Sequence, residues 1–255
     1  MTMHGPNNKS IQIGKNRTGV GTSPIDAQAL IASVAEGMPS SPGNSGGVAA
    51  MRIDYARQAE PPGSMPPPST LKGVFTTAVD ALKGNKPSFF LDKLGQRLAF
   101  ERTGSRLYEA VISKFDAYGS WDGGPTRGDL VAIWSDEVSH FDLLTLSMLR
   151  LGADPTAMTP SADLDGVASM GLLQIATDPR TNLAQTLHAS LIAELTDNDG
   201  WATLITLATS LGHEELAAEF TRAFRAEERH LANVRQWYAA HALAEGKRDL
   251  SPGTP

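Results

Sequence analysis

Two Glu-x-x-His pairs, Glu137 with His140 and Glu227 with His230, stand in separate stretches of the chain. Residues three apart share one face of an α-helix, so each pair presents a carboxylate and an imidazole to one point. That donor set suits a divalent first-row metal. Two more glutamates, Glu101 and Glu194, precede the pairs at similar intervals. Cysteine is absent, which excludes disulfides, iron–sulfur clusters, zinc knuckles and a Cys-based redox relay within the chain. Any bound metal must therefore be held by carboxylate and imidazole.

The elements that carry these residues read as helices. Aromatic residues make up only 6%, Ala and Leu are frequent, and long stretches lack both Pro and strand-like alternation, so the expected fold is all-α. Four long helical patterns follow position 86. The first spans about 88–118, with Pro87 at its first turn and Gly119 beyond its end. A second spans about 127–151, opened by Thr126 with Asp129 three residues on and closed by Gly152. The third covers about 182–211, and its apolar spacing carries through the turn signal Asp197-Asn198-Asp199-Gly200. The fourth covers about 213–244, with Gly246 beyond it. The link between the second and third is long enough to run the height of a bundle, whereas the other links are short. Two antiparallel hairpins joined by one crossover, with a short helix near 163–176, is the expected topology.

Each long helix has an apolar stripe broken by one glutamate. Glu101 interrupts Leu94, Leu98, Tyr108, Ile112 and Phe115; Glu137 interrupts Ile133, Trp134, Phe141 and Leu144. Glu194 falls among Leu187, Leu191, Trp201 and Ile205, and Glu227 among Phe220, Phe224, Leu231 and Val234. An isolated buried carboxylate costs several kcal/mol even after relaxation, and four converging ones also repel one another. Two divalent cations cancel four carboxylates, and two neutral imidazoles add donors without charge.

One Glu from each of two helices, with Glu-x-x-His from each of the other two, resembles the ligand signature of ferritin-like di-iron carboxylate bundles. Within that group the chain is most similar to the rubrerythrin branch, over about 88–244. The resemblance implies a ferritin-like four-helix bundle with two iron ions, or an Mn/Fe pair, held by Glu101, Glu137, His140, Glu194, Glu227 and His230. It also implies that Tyr108 lies beside the metals, and that Asp197 occupies the place of a further carboxylate ligand, though Asp is shorter than the usual Glu. The implied activity is reaction with O₂ or H₂O₂, of ferroxidase or peroxide-reducing type. Rubrerythrins usually carry a Cys-rich electron-delivery module; here the reductant is expected from another protein or from ferrous iron itself. Alternatives are a di-iron oxygenase or desaturase, with Ser105 and Ser190 leaving room for a substrate, and a non-enzymatic metal-binding or interaction module. Such bundles often pair as dimers.

The remainder frames the site. Residues 1–85 form a Gly/Pro/Ser-rich extension with helical islands near 24–36 and 48–58 and a further helix over 71–82; residues 86–246 form the helical body and 247–255 a tail. A net charge of −6 argues against a nucleic-acid partner. No stretch approaches a membrane span and no secretory signal is evident, so a cytoplasmic location is expected. His4, His188, His213 and His241 fit no ligand pattern, and Glu109 and Glu228 are expected to be solvated.

Overall fold

The computed structural model describes residues 19–37, 45–70 and 87–248, all helical or irregular, with no strand among them. The expected helix over 71–82 and the tail from 249 lie outside the described residues. The chain divides into two compact units between Pro62 and Gly63.

In the smaller unit a 3-10 turn, Val20–Thr22, precedes α1 (Pro24–Gly37), and α2 (Ser45–Gln58) follows. Neither helix buries a side chain, so both helical islands form without a core of their own.

The larger unit holds the long helices: α3 (Pro87–Tyr118), α4 (Arg127–Arg150), α5 (Pro160–Thr177), α6 (Leu183–Ser210) and α7 (Glu214–Arg248). Their ends carry local capping chemistry, of which the Thr126–Asp129 pair was expected. Thr126 and Asp129 form a reciprocal capping box on α4, Asn182 and Gln185 form another on α6, and Thr159 caps α5 ahead of Pro160. Gly119, Gly152 and Gly212 follow α3, α4 and α6 at φ values of 68°, 79° and 77°, a region costly for residues with a Cβ. α6 runs unbroken through Asp197–Gly200. α7 runs past Gly246 to Arg248, because a single glycine near a helix end weakens the helix without stopping it.

α3 packs on α4, α5 and α6; α6 also packs on α5 and α7, and α4 touches α7. Most buried apolar residues of α3, α4, α6 and α7 gather in two clusters, while a third joins Phe100 and Leu107 of α3 to Ala176 of α5 and Ala193 of α6. Of the two, one holds Leu94 and Leu98, Leu144 and Met148, Trp201 and Leu204, and Leu216 and Phe220. The other holds Tyr108 and Val111, Leu130 and Ile133, Leu183 and Leu187, and Val234 and Trp237. On every one of the four helices the interrupting glutamate falls between the residues given to one cluster and those given to the other. Ahead of α3, Met65–Pro68 line a small cavity with Leu91 and Met148, and the Ser69 amide and hydroxyl both donate to Gly152 O, at 3.1 and 2.9 Å.

Leu94 is wholly buried in the first cluster. Leu94→Ala is expected to lower unfolding stability by about 2–5 kcal/mol, read as an earlier urea midpoint. A loss under about 1 kcal/mol would mean that this cluster is not a packed core.

Candidate metal centre

Between the two apolar clusters the helices bury an almost entirely acidic layer. Glu101 on α3, Glu137 and His140 on α4, Glu194 and Asp197 on α6, and Glu227 and His230 on α7 are all buried. Glycine makes part of the room: a Cβ at Gly104 on α3 would overlap Glu137 Oε2.

Within this layer, donor atoms lie within 4.8 Å of one another in three sets able to hold a metal ion. One is Glu101, His140 and Glu227; a second is Glu137, Glu194, Glu227 and His230; a third is Glu101, Glu137 and Asp197. Glu227 belongs to the first two, with Oε1 2.6 Å from His140 Nδ1 and Oε2 3.2 Å from His230 Nδ1. The six residues singled out by helix spacing thus come together, with Asp197 beside them. Tyr108 joins them through its hydroxyl, which donates to Glu194 Oε1.

The charge of the layer is poorly compensated by protein. Glu101 Oε2, Glu137 Oε2 and Glu194 Oε2 are buried without a hydrogen-bond partner, while Glu101 Oε1, Asp197 Oδ1 and Glu227 Oε1 have only charge contacts with Arg97 and His140. Buried polar atoms are nearly always paired, so three unpartnered carboxylate oxygens in one layer make it a fit for a bound cation. Cations coordinated by oxygen and imidazole nitrogen fit this donor set.

Proton affinities carry the same message. Burial, then neighbouring carboxylates, hold Glu101, Glu137 and Glu194 well above the ordinary carboxylate range. Burial also raises Asp197, to about 6, despite the opposing pull of Arg97. For Glu227, burial acts upward too, but contacts with both imidazoles overcome it and bring the group to about 2. His230 is raised, since Glu227 and Asp136 outweigh its desolvation.

Three contributors were not legible as site residues. Asp136 accepts from His230 Nε2 at 3.0 Å, supplying the outer partner that a ligand histidine needs to fix its tautomer. Asn198 Nδ2 donates to Glu194 O and Glu227 O, tying α6 to α7 at the layer. Arg97 Nε lies 3.2 Å from Glu101 and its Nη2 3.1 Å from Asp197, making it a cation inside the buried layer. The only sequence signal for Arg97 is its place in the Leu94–Leu98 stripe, where a charge is out of keeping.

The other described histidines stay outside the layer, and His4 lies outside the described residues. His188 stacks on Tyr238, His213 on Phe90, and His241 tilts against Trp121. Glu109 and Glu228 are exposed. Ser190 is buried with its hydroxyl bonded to Thr186 O, and Ser105 bonds Arg102 O. No described helix is long and apolar enough to cross a membrane.

Comparison of the chain with family models, curated proteins and solved structures gives no match. The geometry of the layer therefore carries the functional reading.

In metal-free protein, Glu101, Glu137 and Glu194 retain protons that the unfolded chain releases once pH exceeds its ordinary carboxylate value of 4.5. Their contribution is full below that value and declines as pH rises through the folded pKa values; Asp197 adds loss between 3.8 and about 6. Raising the pH of chelator-treated protein from about 5 to 8 is expected to lower Tm by several degrees. Glu101→Gln should flatten that slope. A Tm that is level or rises across this window would show that the layer is not ionising against burial.

Proposed function

We propose that the chain is a dinuclear non-haem metalloprotein of the ferritin-like, rubrerythrin-related type. In this reading α3, α4, α6 and α7 are its four-helix bundle, and α5 lies in the crossover. The single observation that carries it is the convergence of four glutamates and two histidines into two overlapping donor sets that share Glu227. Glu101 and His140 would help hold one ion and Glu194 and His230 the other, with Glu227 common to both sets and available to each. Glu137, present in two of the three donor sets, is the second bridging candidate.

A bound iron pair, or an Mn/Fe pair, would supply Lewis acidity and one-electron chemistry toward O₂ or H₂O₂. The protein's own residues do the rest. The flanking apolar clusters exclude bulk water and so strengthen every charge interaction inside the layer. Asp136 holds the His230 ring through Nε2, leaving Nδ1 directed at Glu227. Tyr108 holds a phenolic proton at Glu194, and burial, followed by the nearby carboxylates, keeps that phenol protonated well past its usual range. It is therefore placed to donate a hydrogen bond at the edge of the layer. The absence of Cys leaves electron supply to an outside donor or to ferrous iron as substrate.

Anaerobic titration with Fe(II) is expected to reach two ions per chain, and H₂O₂ or O₂ should then change the near-ultraviolet and visible absorbance. Glu227→Ala should drop the stoichiometry below two and abolish the absorbance change. Wild-type protein that binds well under two ions per chain and gives no optical response would overturn the proposal.

A further inference from the structure

Arg97 has the strangest position of any charge in the chain. Its side chain is 4% exposed and leaves the interior of α3, away from either helix end. It leaves α3 one turn before Glu101 and reaches α6, where its Nη1 faces the carbonyls of Thr196 and Asp197 at 3.4 and 3.5 Å. The guanidinium also lies over the Phe100 ring, 4.2 Å from its centroid. α6 makes way for it: a Cβ at Gly200 would overlap Arg97 Nη1. Glycine inside a helix costs about 1 kcal/mol relative to Ala, so Gly200 is a destabilising choice with a steric reason. On its outer side Arg97 lines a cavity of about 290 Å³ with Lys93, Gln96, Thr196 and Gly200.

A dinuclear site of four glutamates and two neutral imidazoles is already matched by two divalent ions. Asp197 adds a fifth buried carboxylate within reach of Glu101 and Glu137. Left alone it would bring the layer to five negative charges and compete for a coordination position. Arg97 binds Asp197 and Glu101 at once, restoring four net negative charges and holding Asp197 toward the guanidinium.

We infer that Arg97 is a positioning residue that withholds Asp197 from the ligand set and sets the fixed charge of the layer for two divalent cations. This inference rests on the dinuclear reading and makes it more specific: six protein ligands, with Asp197 as counter-ion to Arg97. Charge interactions at these separations, in an interior of effective dielectric about 20, alter cation affinity by about tenfold or more.

The two residues therefore have opposite expected effects. Co(II) binding, competed against a chromophoric chelator, is to be compared in wild type, Arg97→Gln, Asp197→Asn and the double variant. Arg97→Gln should tighten binding of the second ion by about tenfold or more, and should change the Co(II) d–d spectrum as Asp197 joins the coordination. Asp197→Asn should weaken it to a similar degree, because an uncompensated guanidinium remains. The double variant should return to near wild-type affinity and spectrum. A double variant as weak as Asp197→Asn would make Asp197 a ligand and overturn the inference, and so would four indistinguishable isotherms. Should Arg97→Gln not fold, the comparison of Asp197→Asn with the double variant decides by the same criterion. Wild-type protein that binds no Co(II) would remove the dinuclear reading itself; two-ion binding insensitive to Arg97 and Asp197 removes only this inference.

Discussion

Desolvation of carboxylates is the constraint on which the rest of the larger unit depends. Five acidic side chains, Glu101, Glu137, Glu194, Asp197 and Glu227, are buried between two apolar clusters, with one guanidinium and two imidazoles for company. Each ionised group so placed costs several kcal/mol unless compensated. The clusters must hold the helices together across a layer that, without cations, opposes assembly. This explains why both ends of the layer are closed by large, fully buried side chains, Trp201 and Phe220 on one side and Tyr108 and Leu130 on the other. It also explains why Glu227, which meets both imidazoles, is the one glutamate of the layer pulled below its ordinary proton affinity.

Glycine placement follows from the same constraint. Gly104 and Gly200 both interrupt helix interiors, where they weaken the helix, and each lies where a Cβ would displace a charged side chain: Glu137 in one case, Arg97 in the other. Local helix stability has been given up for space in the buried polar layer. Conflicts between local propensity and global fold of this kind are expected at functional sites.

Much of this arrangement is legible in the chain because helical period links spacing directly to direction. Glu137 and His140 must share a face, and so must Glu227 and His230; apolar neighbours then indicate that the face is inward. Thr126, Gly119 and Gly152 mark helix ends by chemistry that acts over a few residues, so the end of α3 and both ends of α4 lay close to expectation. Arg97, Asp136 and Asn198 were hidden for the opposite reason. Each acts on a residue of another helix, and nothing in local spacing reveals a partner so far along the chain. At α7, Gly246 misled because a stop signal near a helix end is overruled when enough turns precede it.

Repetition of the Glu-bearing hairpins suggests two equivalent halves, but their surroundings differ. The donor set of Glu101, His140 and Glu227 lies on the side of Arg97, whose positive charge weakens attraction for a cation there. The set of Glu137, Glu194, Glu227 and His230 has an additional carboxylate, Asp136 behind its histidine and the Tyr108 hydroxyl on Glu194. Asp136 is itself part-exposed, so the second histidine is linked to the surface by a single hydrogen bond. Two ions in such a layer would feel unequal fields even though their ligands come from matching positions on paired helices. Under the proposed dinuclear reading, asymmetry of this kind would give one ion a tighter, more anionic seat and leave the other easier to exchange.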